Sequence, residues 1–184
     1  MQRTDEHVSW MAERFFSGLV DHWEQRPGML RSAEAYSLEL RSLDARIHSY
    51  TDGLVQLGAA IVPRLVAACS IPPRAQVAAS AFALLHFDLP PAQQALIASI
   101  ETAEGEVADG LVDALPLGPI QRLEPLMSRL LDSDRPLSVA IAAHALASHH
   151  LLATDHPCLT RLIRADEPDI RRRGWQIYVL ASMP

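Results

Sequence analysis

The chain has 184 residues, a formal net charge of −6, and 49% hydrophobic residues against only 5% aromatic. This fits one domain with a core of leucine, alanine, valine and isoleucine. An acidic balance in which all sixteen basic residues are arginine excludes a general nucleic-acid or anionic-membrane binder, since either needs a basic electrostatic footprint. The N-terminus, MQRTDEHVSW, carries acids where a secretory leader would carry basic residues and then an apolar run. No stretch approaches the roughly 18 uncharged apolar residues of a membrane span, so the expected location is cytoplasmic and no membrane partner is expected.

In chain order, Val8, Met11, Phe15, Leu19 and Trp23 recur at helical intervals and predict a helix over 4–25, stopped by Arg26-Pro27-Gly28. The additional bulk of Trp10 and Phe16 means either burial on more than one side or an exposed aromatic contact. A second helix is predicted over 37–52, with Ser37 as N-cap, Leu40, Leu43, Ile47, Tyr50 and Leu54 along one face, and Gly53 ending or bending it. Pro63 interrupts the next apolar segment, 54–69, which predicts a kink or a fresh start near Ala60.

From Pro72 onward one short pattern recurs. Val77, Val107, Val139 and Ile170 open its copies at steps of 30, 32 and 31 residues. Ala81, Leu111, Ala143 or Gly174 follows four positions later, and Leu84, Ala114, Leu146 or Ile177 seven positions later. An aliphatic at i, a mostly small residue at i+4 and an apolar one at i+7 mark one helix face. First helices are predicted at 73–86, 104–114, 136–148 and 168–182, and second helices at 91–101, 119–131 and 157–164. A period near thirty implies stacked helix pairs, because one pair cannot bury its own apolar face. The last first helix lacks a second, which leaves the C-terminal edge without a polar cap or a continuation and available for self-association.

The run Asp166-Glu167-Pro168-Asp169-Ile170-Arg171-Arg172-Arg173-Gly174-Trp175 resembles the acid-Pro-acid-aliphatic-Arg opening of HEAT and HEAT-like repeats, and Asp134-Arg135-Pro136-Leu137-Ser138-Val139 is a weaker copy. Ahead of the repeats, Tyr36-Ser37-Leu38, Leu43-Asp44-Ala45-Arg46-Ile47 and Asp52-Gly53-Leu54 resemble the entry region of a bacterial HEAT-like family often encoded beside type VI secretion genes. The resemblance covers most of this chain and matches the N-terminal part of members that are commonly about twice as long. It implies an all-α, right-handed α-solenoid of HEAT-like helix pairs: a single domain with a capping helix over 1–35, an entry pair over 36–71 and repeats over 72–184, the last incomplete. It transfers no catalytic residue.

Motifs for chemistry are thin. His144, His149, His150 and His156 fall within one repeat, but a step of five from His144 to His149 points the rings to different sides, and no carboxylate stands four residues from any of these four. Repeated His-Glu dipeptides, which mark metal-binding HEAT enzymes, do not occur. Surface and capping histidines are therefore expected, and a histidine-dependent metal enzyme is the alternative. The sequence contains no GxSxG, phosphate-binding glycine loop or HExxH, so the chain is read as a non-enzyme without cofactor or metal. Cys69 and Cys158, without CxxC spacing, are expected as reduced structural thiols. Asp132 and Asp134 precede a helix, where dipole and capping roles account for them.

Charge is more informative. No lysine or arginine stands between Arg74 and Arg122, whereas Asp88, Glu101, Glu104, Glu106, Asp109 and Asp113 do. Glu106, Asp109 and Asp113 share one helix face. A solvated face is the ordinary reading of such a set. The functional one is a partner-binding surface made by Glu101, Glu104, Glu106, Asp109 and Asp113 that steers a basic protein, with little stability carried by those positions. Arg161, Arg164, Arg171, Arg172 and Arg173 are expected to pair with Asp166, Glu167 and Asp169, which leaves nucleic-acid binding disfavoured. The expected function is a non-catalytic protein-interaction module, with the resemblance implying an immunity protein that neutralises a type VI effector, or an effector adaptor. A self-associating scaffold is the remaining alternative.

Overall fold

A computed structural model describes residues 2–31, 37–121 and 123–183; among them it contains ten α-helices, two 3-10 segments and no strand. The helices are α1 (Gln2–Arg31), α2 (Ser37–Gln56), α3 (Val62–Ala68), α4 (Arg74–His86), α5 (Pro90–Thr102), α6 (Gly105–Ala114), α7 (Glu124–Leu130), α8 (Pro136–Ser148), α9 (Pro157–Ile163) and α10 (Pro168–Ala181). The 3-10 segments are Gly58–Ile61 and Leu115–Leu117. None of these helices is long and apolar enough to cross a membrane.

The N-terminal helix does not stop at Arg26-Pro27-Gly28; α1 runs through Pro27 to Arg31. Proline removes the N–H that the Trp23 carbonyl would have received, but tertiary contacts outweigh that loss. Arg26 Nε donates to Asp44 at 2.9 Å, and Met29 packs on the core. Gly53 likewise does not end α2, since the helix continues to Gln56. The glycine is there for space. A Cβ on Gly53 would lie 3.0 Å from the Phe15 ring, and one on Gly18 would collide with the Tyr50 ring. These contacts and Arg26–Asp44 make α1 and α2 antiparallel. Ser37, expected as an N-cap, is the first residue of α2; its side chain and residues 32–36 lie outside the described residues. Of the two aromatics noted in α1, Phe16 is buried and Trp10 exposed.

Gly58–Ile61 followed by a new helix at Val62, with Pro63 in its first turn, is the fresh start near Ala60. Most later boundaries fall within a residue or two of their expected positions. α7 is the exception, beginning at Glu124 instead of 119. Pro116 and Pro119 withhold backbone donors, and Gly118, extended at φ −97° and ψ 166°, passes close under Leu85.

Eleven of the twelve recurring positions are buried, and Val107 is half-buried. α4 packs on α6, α6 on α8 and α8 on α10, so the four helices bearing the pattern lie in chain order, while α3 meets α5 and α5 meets α7 on a second side. α1 and α2 cover α4. Flanked in this way, α4 is buried continuously over Val77–Leu85 and α8 over Ser138–Leu146 except at His144. Their alanine-rich sequences fit this position, because a helix with neighbours all round needs small apolar residues on every face. Each fully buried leucine, such as Leu84 or Leu111, contributes about 1.5–3 kcal/mol of transfer free energy.

Candidate interaction surfaces

The acidic residues singled out above do gather where α5 ends and α6 begins. Glu101 is exposed near the end of α5, and Glu104 is the extended N-cap residue of α6. Glu106, Asp109 and Asp113 follow on α6. They are not an unopposed negative field, however. Arg74, at the start of α4, donates Nε and Nη2 to the two Asp113 oxygens at 2.6 Å each, and its backbone N–H donates to Glu106 at 3.2 Å. The Asp113 carboxylate, bonded in this way, raises the Arg74 guanidinium pKa above its usual value. Arg173 on α10 reaches Asp109 at 2.5 Å. Arg135, the N-cap residue of α8, lies 3.6 Å from the Glu104 carboxylate and donates to the backbone carbonyls of Glu101 and Ala103.

Three of the five carboxylates, those of Glu104, Asp109 and Asp113, thus meet guanidiniums from the start of α4, the N-cap of α8 and α10. Glu104 keeps a side chain 85% exposed, whereas Asp113 retains 21%. Asp109 and Asp113 tie helices together, and Glu101, Glu104 and Glu106 form the solvent-facing remainder. No pattern along the chain could have announced this, since the partners are 31 to 64 residues apart.

The basic segment differs from expectation in the same manner. Among the described residues, Arg172 is the one shown paired with its expected neighbour, Asp169, at 3.1 Å. Arg171 donates to the carbonyls of Ala165 and Asp166 at 2.8 and 3.4 Å, Arg161 donates to the carbonyl of Leu131, and Arg173 leaves the segment for α6.

The four clustered histidines have separate surroundings. His156 Nδ1 accepts the Cys158 N–H at 3.3 Å and caps α9. His150 is exposed at φ 58°, and His149 Nε2 lies 3.3 Å from the Leu115 carbonyl. His144 is not at the surface. It is half-buried on α8, and burial, aided by the nearby Arg173 charge, lowers its pKa to about 4. Among the described residues no group of three or more His, Cys, Asp or Glu is arranged to hold a metal. Cys69 and Cys158 are free and buried, and burial pushes the Cys69 thiol up to about 11. Ahead of α8 no side chain caps the helix, so the capping role expected of Asp132 or Asp134 is not filled; the Ser133 Oγ accepts the Arg135 N–H at 3.2 Å in the turn that leads in.

A second surface lies on the C-terminal edge that the sequence leaves open to self-association, although its aromatic residues were not singled out there. On the outer side of α10, Trp175 is 53% exposed, with Tyr178, Val179 and Met183 also open to solvent. The two rings meet edge to face at 6.1 Å, and Arg171 and Arg172 are exposed on the same helix. The signal was present: Trp175, Tyr178 and Val179 stand five, eight and nine positions after Ile170, off the i, i+4, i+7 face. At the other end of the chain Trp10 is exposed beneath the Arg14 guanidinium, 5.5 Å from the ring centroid.

Comparison with protein-family models, with curated proteins and with solved structures gave no match.

Proposed function

We propose that this chain is a non-catalytic protein-recognition module built as an α-solenoid of HEAT-like helix pairs. The succession of α4, α6, α8 and α10 in contact supports that architecture, because repeats that lean only on their neighbours produce such a row. The observation that carries the function is the exposed cluster of Trp175, Tyr178 and Val179 beside Arg171 and Arg172 on α10. Tryptophan, tyrosine and arginine are the side chains that most often dominate protein–protein binding energy. The partner that suits this surface is a protein with an apolar pocket and an acidic rim. The resemblance to a family encoded beside type VI secretion genes makes it a secreted effector, which this chain neutralises or delivers.

Co-purification with the products of adjacent genes tests the reading. The wild-type chain retains one of them, and a Trp175→Ser, Tyr178→Ser double variant loses it while keeping its helical circular dichroism. Retention of no partner counts against the proposal, and a partner retained equally by the double variant moves the binding surface away from α10. Self-association through the same cluster is a second reading favoured by its exposure; concentration-dependent sedimentation of the wild type that the double variant abolishes would identify it.

A further inference from the structure

Four rings meet where α2 packs on α4. Phe82 of α4 is at the centre, 5.6 Å from Trp23 of α1, 5.3 Å from His48 of α2 and 4.6 Å from His86, which stands one turn further along α4. His48 and His86 also face each other directly, edge to face at 5.9 Å. His86 is half-buried and His48 exposed. The His86 Nδ1–H donates to the Phe82 carbonyl at 2.8 Å, so a second proton goes to Nε2.

Little negative charge is at hand to balance that proton. On α2, Asp44, one turn before His48, is held by Arg26 at 2.9 Å, and Asp52, one turn after it, is exposed. On α1, Arg26 lies 5.9 Å from the Trp23 ring, and His22 faces Tyr50 instead. Of the other helices packed on α4, α3 carries Arg64, engaged with Glu13, and α5 carries Glu101 in its last turn, where Arg135 reaches it. α6 sets Glu106 and Asp113 against Arg74, at the opposite end of α4 and about 18 Å away along the helix. Asp88, just past the end of α4, is not free. Burial lowers the His86 pKa from 6.5, and a charge on His48 lowers it further, against the Phe82 carbonyl and Asp52, which raise it. A group whose pKa is lowered in the closed form takes its proton more readily in the open one. Closure is therefore complete above about pH 6.5 and weakens as pH falls through the folded value.

We infer that the contact between His48 and His86 is an acid-sensitive clasp, which holds α2 on α4 while both rings are neutral and lets this seam open when both carry a proton. Two imidazolium rings 5.9 Å apart repel each other, and the one on His86 gains water only when His48 moves off it. α2 stays on α1 through Arg26 and Asp44 and through the Phe15 ring against Gly53, so the opening is confined to the seam between α2 and α4. The clasp stands apart from recognition through α10, so either can fail without the other.

Native-state hydrogen exchange read by nuclear magnetic resonance tests it at about pH 7.5 and about pH 5.5, with each amide referred to its intrinsic rate at that pH. On acidification the protection of the α2 amides from His48 to Gln56 falls about tenfold or more relative to the amides of α5. His48→Gln, a change at an exposed position, removes most of that fall. The imidazole signals give a second readout, which a merely structural role for His48 would not move: the titration midpoint of His86 rises in His48→Gln, because the like charge beside it is gone. An equal loss of protection in α2 and α5, a fall that persists in folded His48→Gln, or a His86 midpoint that His48→Gln leaves unchanged overturns the inference.

Discussion

Arg173 on α10 lies 2.5 Å from Asp109 on α6, although 64 residues separate them and α8 packs against both helices. The pair joins the two helices that flank α8, and both side chains are partly shielded from solvent, so it holds α6 and α10 together more than an ordinary surface ion pair does. A double-mutant cycle with Arg173→Ala and Asp109→Ala, followed by urea denaturation, should return a coupling of about 1 kcal/mol. Strictly additive single substitutions would mean that the pair contributes nothing.

The acidic surface divides on the same ground. Asp113→Arg sets a cation against Arg74 in place of a bidentate carboxylate and is expected to lower stability by about 1–3 kcal/mol. Reversal of Glu101 or Glu104, both exposed, should stay within about 0.5 kcal/mol. Denaturant midpoints of the three single variants decide it, and equal midpoints would return Asp113 to the solvated face that the sequence alone implied.

Two helical glycines should respond in opposite directions to the same change. A Cβ on Gly110 would lie 2.6 Å from the Arg74 carbonyl oxygen and 2.7 Å from Val77 Cβ, where α6 crosses α4, so Gly110→Ala must part the helices. The expected loss is about 1–3 kcal/mol. Gly28 has nothing within 4 Å and sits inside α1, so Gly28→Ala should raise stability by up to about 1 kcal/mol through helix propensity. Thermal melts of the two variants provide the comparison.

His144 makes stability depend on pH in a predictable sense. Its folded pKa of about 4 lies below the ordinary 6.5, so between those values the unfolded chain binds the proton and the folded one does not. Stability contributed by the neutral ring is therefore complete above about pH 6.5 and is lost as pH falls through the window toward 4. Between pH 7 and pH 5 the loss amounts to about 2 kcal/mol. His86, lowered chiefly by burial, acts in the same direction. Urea denaturation at the two pH values, compared with a His144→Gln variant, should show a smaller loss in the variant, and an identical loss would remove His144 from the account.

Chain order alone placed the local elements well. The recurring Val77, Val107, Val139 and Ile170 faces became buried helix faces, with α4, α8 and α10 starting within one residue of their expected positions, because a 3.6-residue period is a property of neighbours along the chain. Proline and glycine were less faithful. Pro27 and Gly53 read as breaks, yet α1 and α2 continue through both, since the Arg26–Asp44 bond and the Phe15 ring that fills the space beside Gly53 lie on the opposing helix.

The chain's own pattern therefore determined that it is helical, where most helices begin and end, and which twelve positions turn toward the core. Only the tertiary structure decided what the charges do. It sent Arg173 to Asp109 and Arg74 to Asp113, left Glu104 in solvent, and exposed Trp175. Burial of an apolar face is fixed by residues three and four apart on one helix, whereas an ion pair or a cavity is made by residues that only packing brings within a few ångströms.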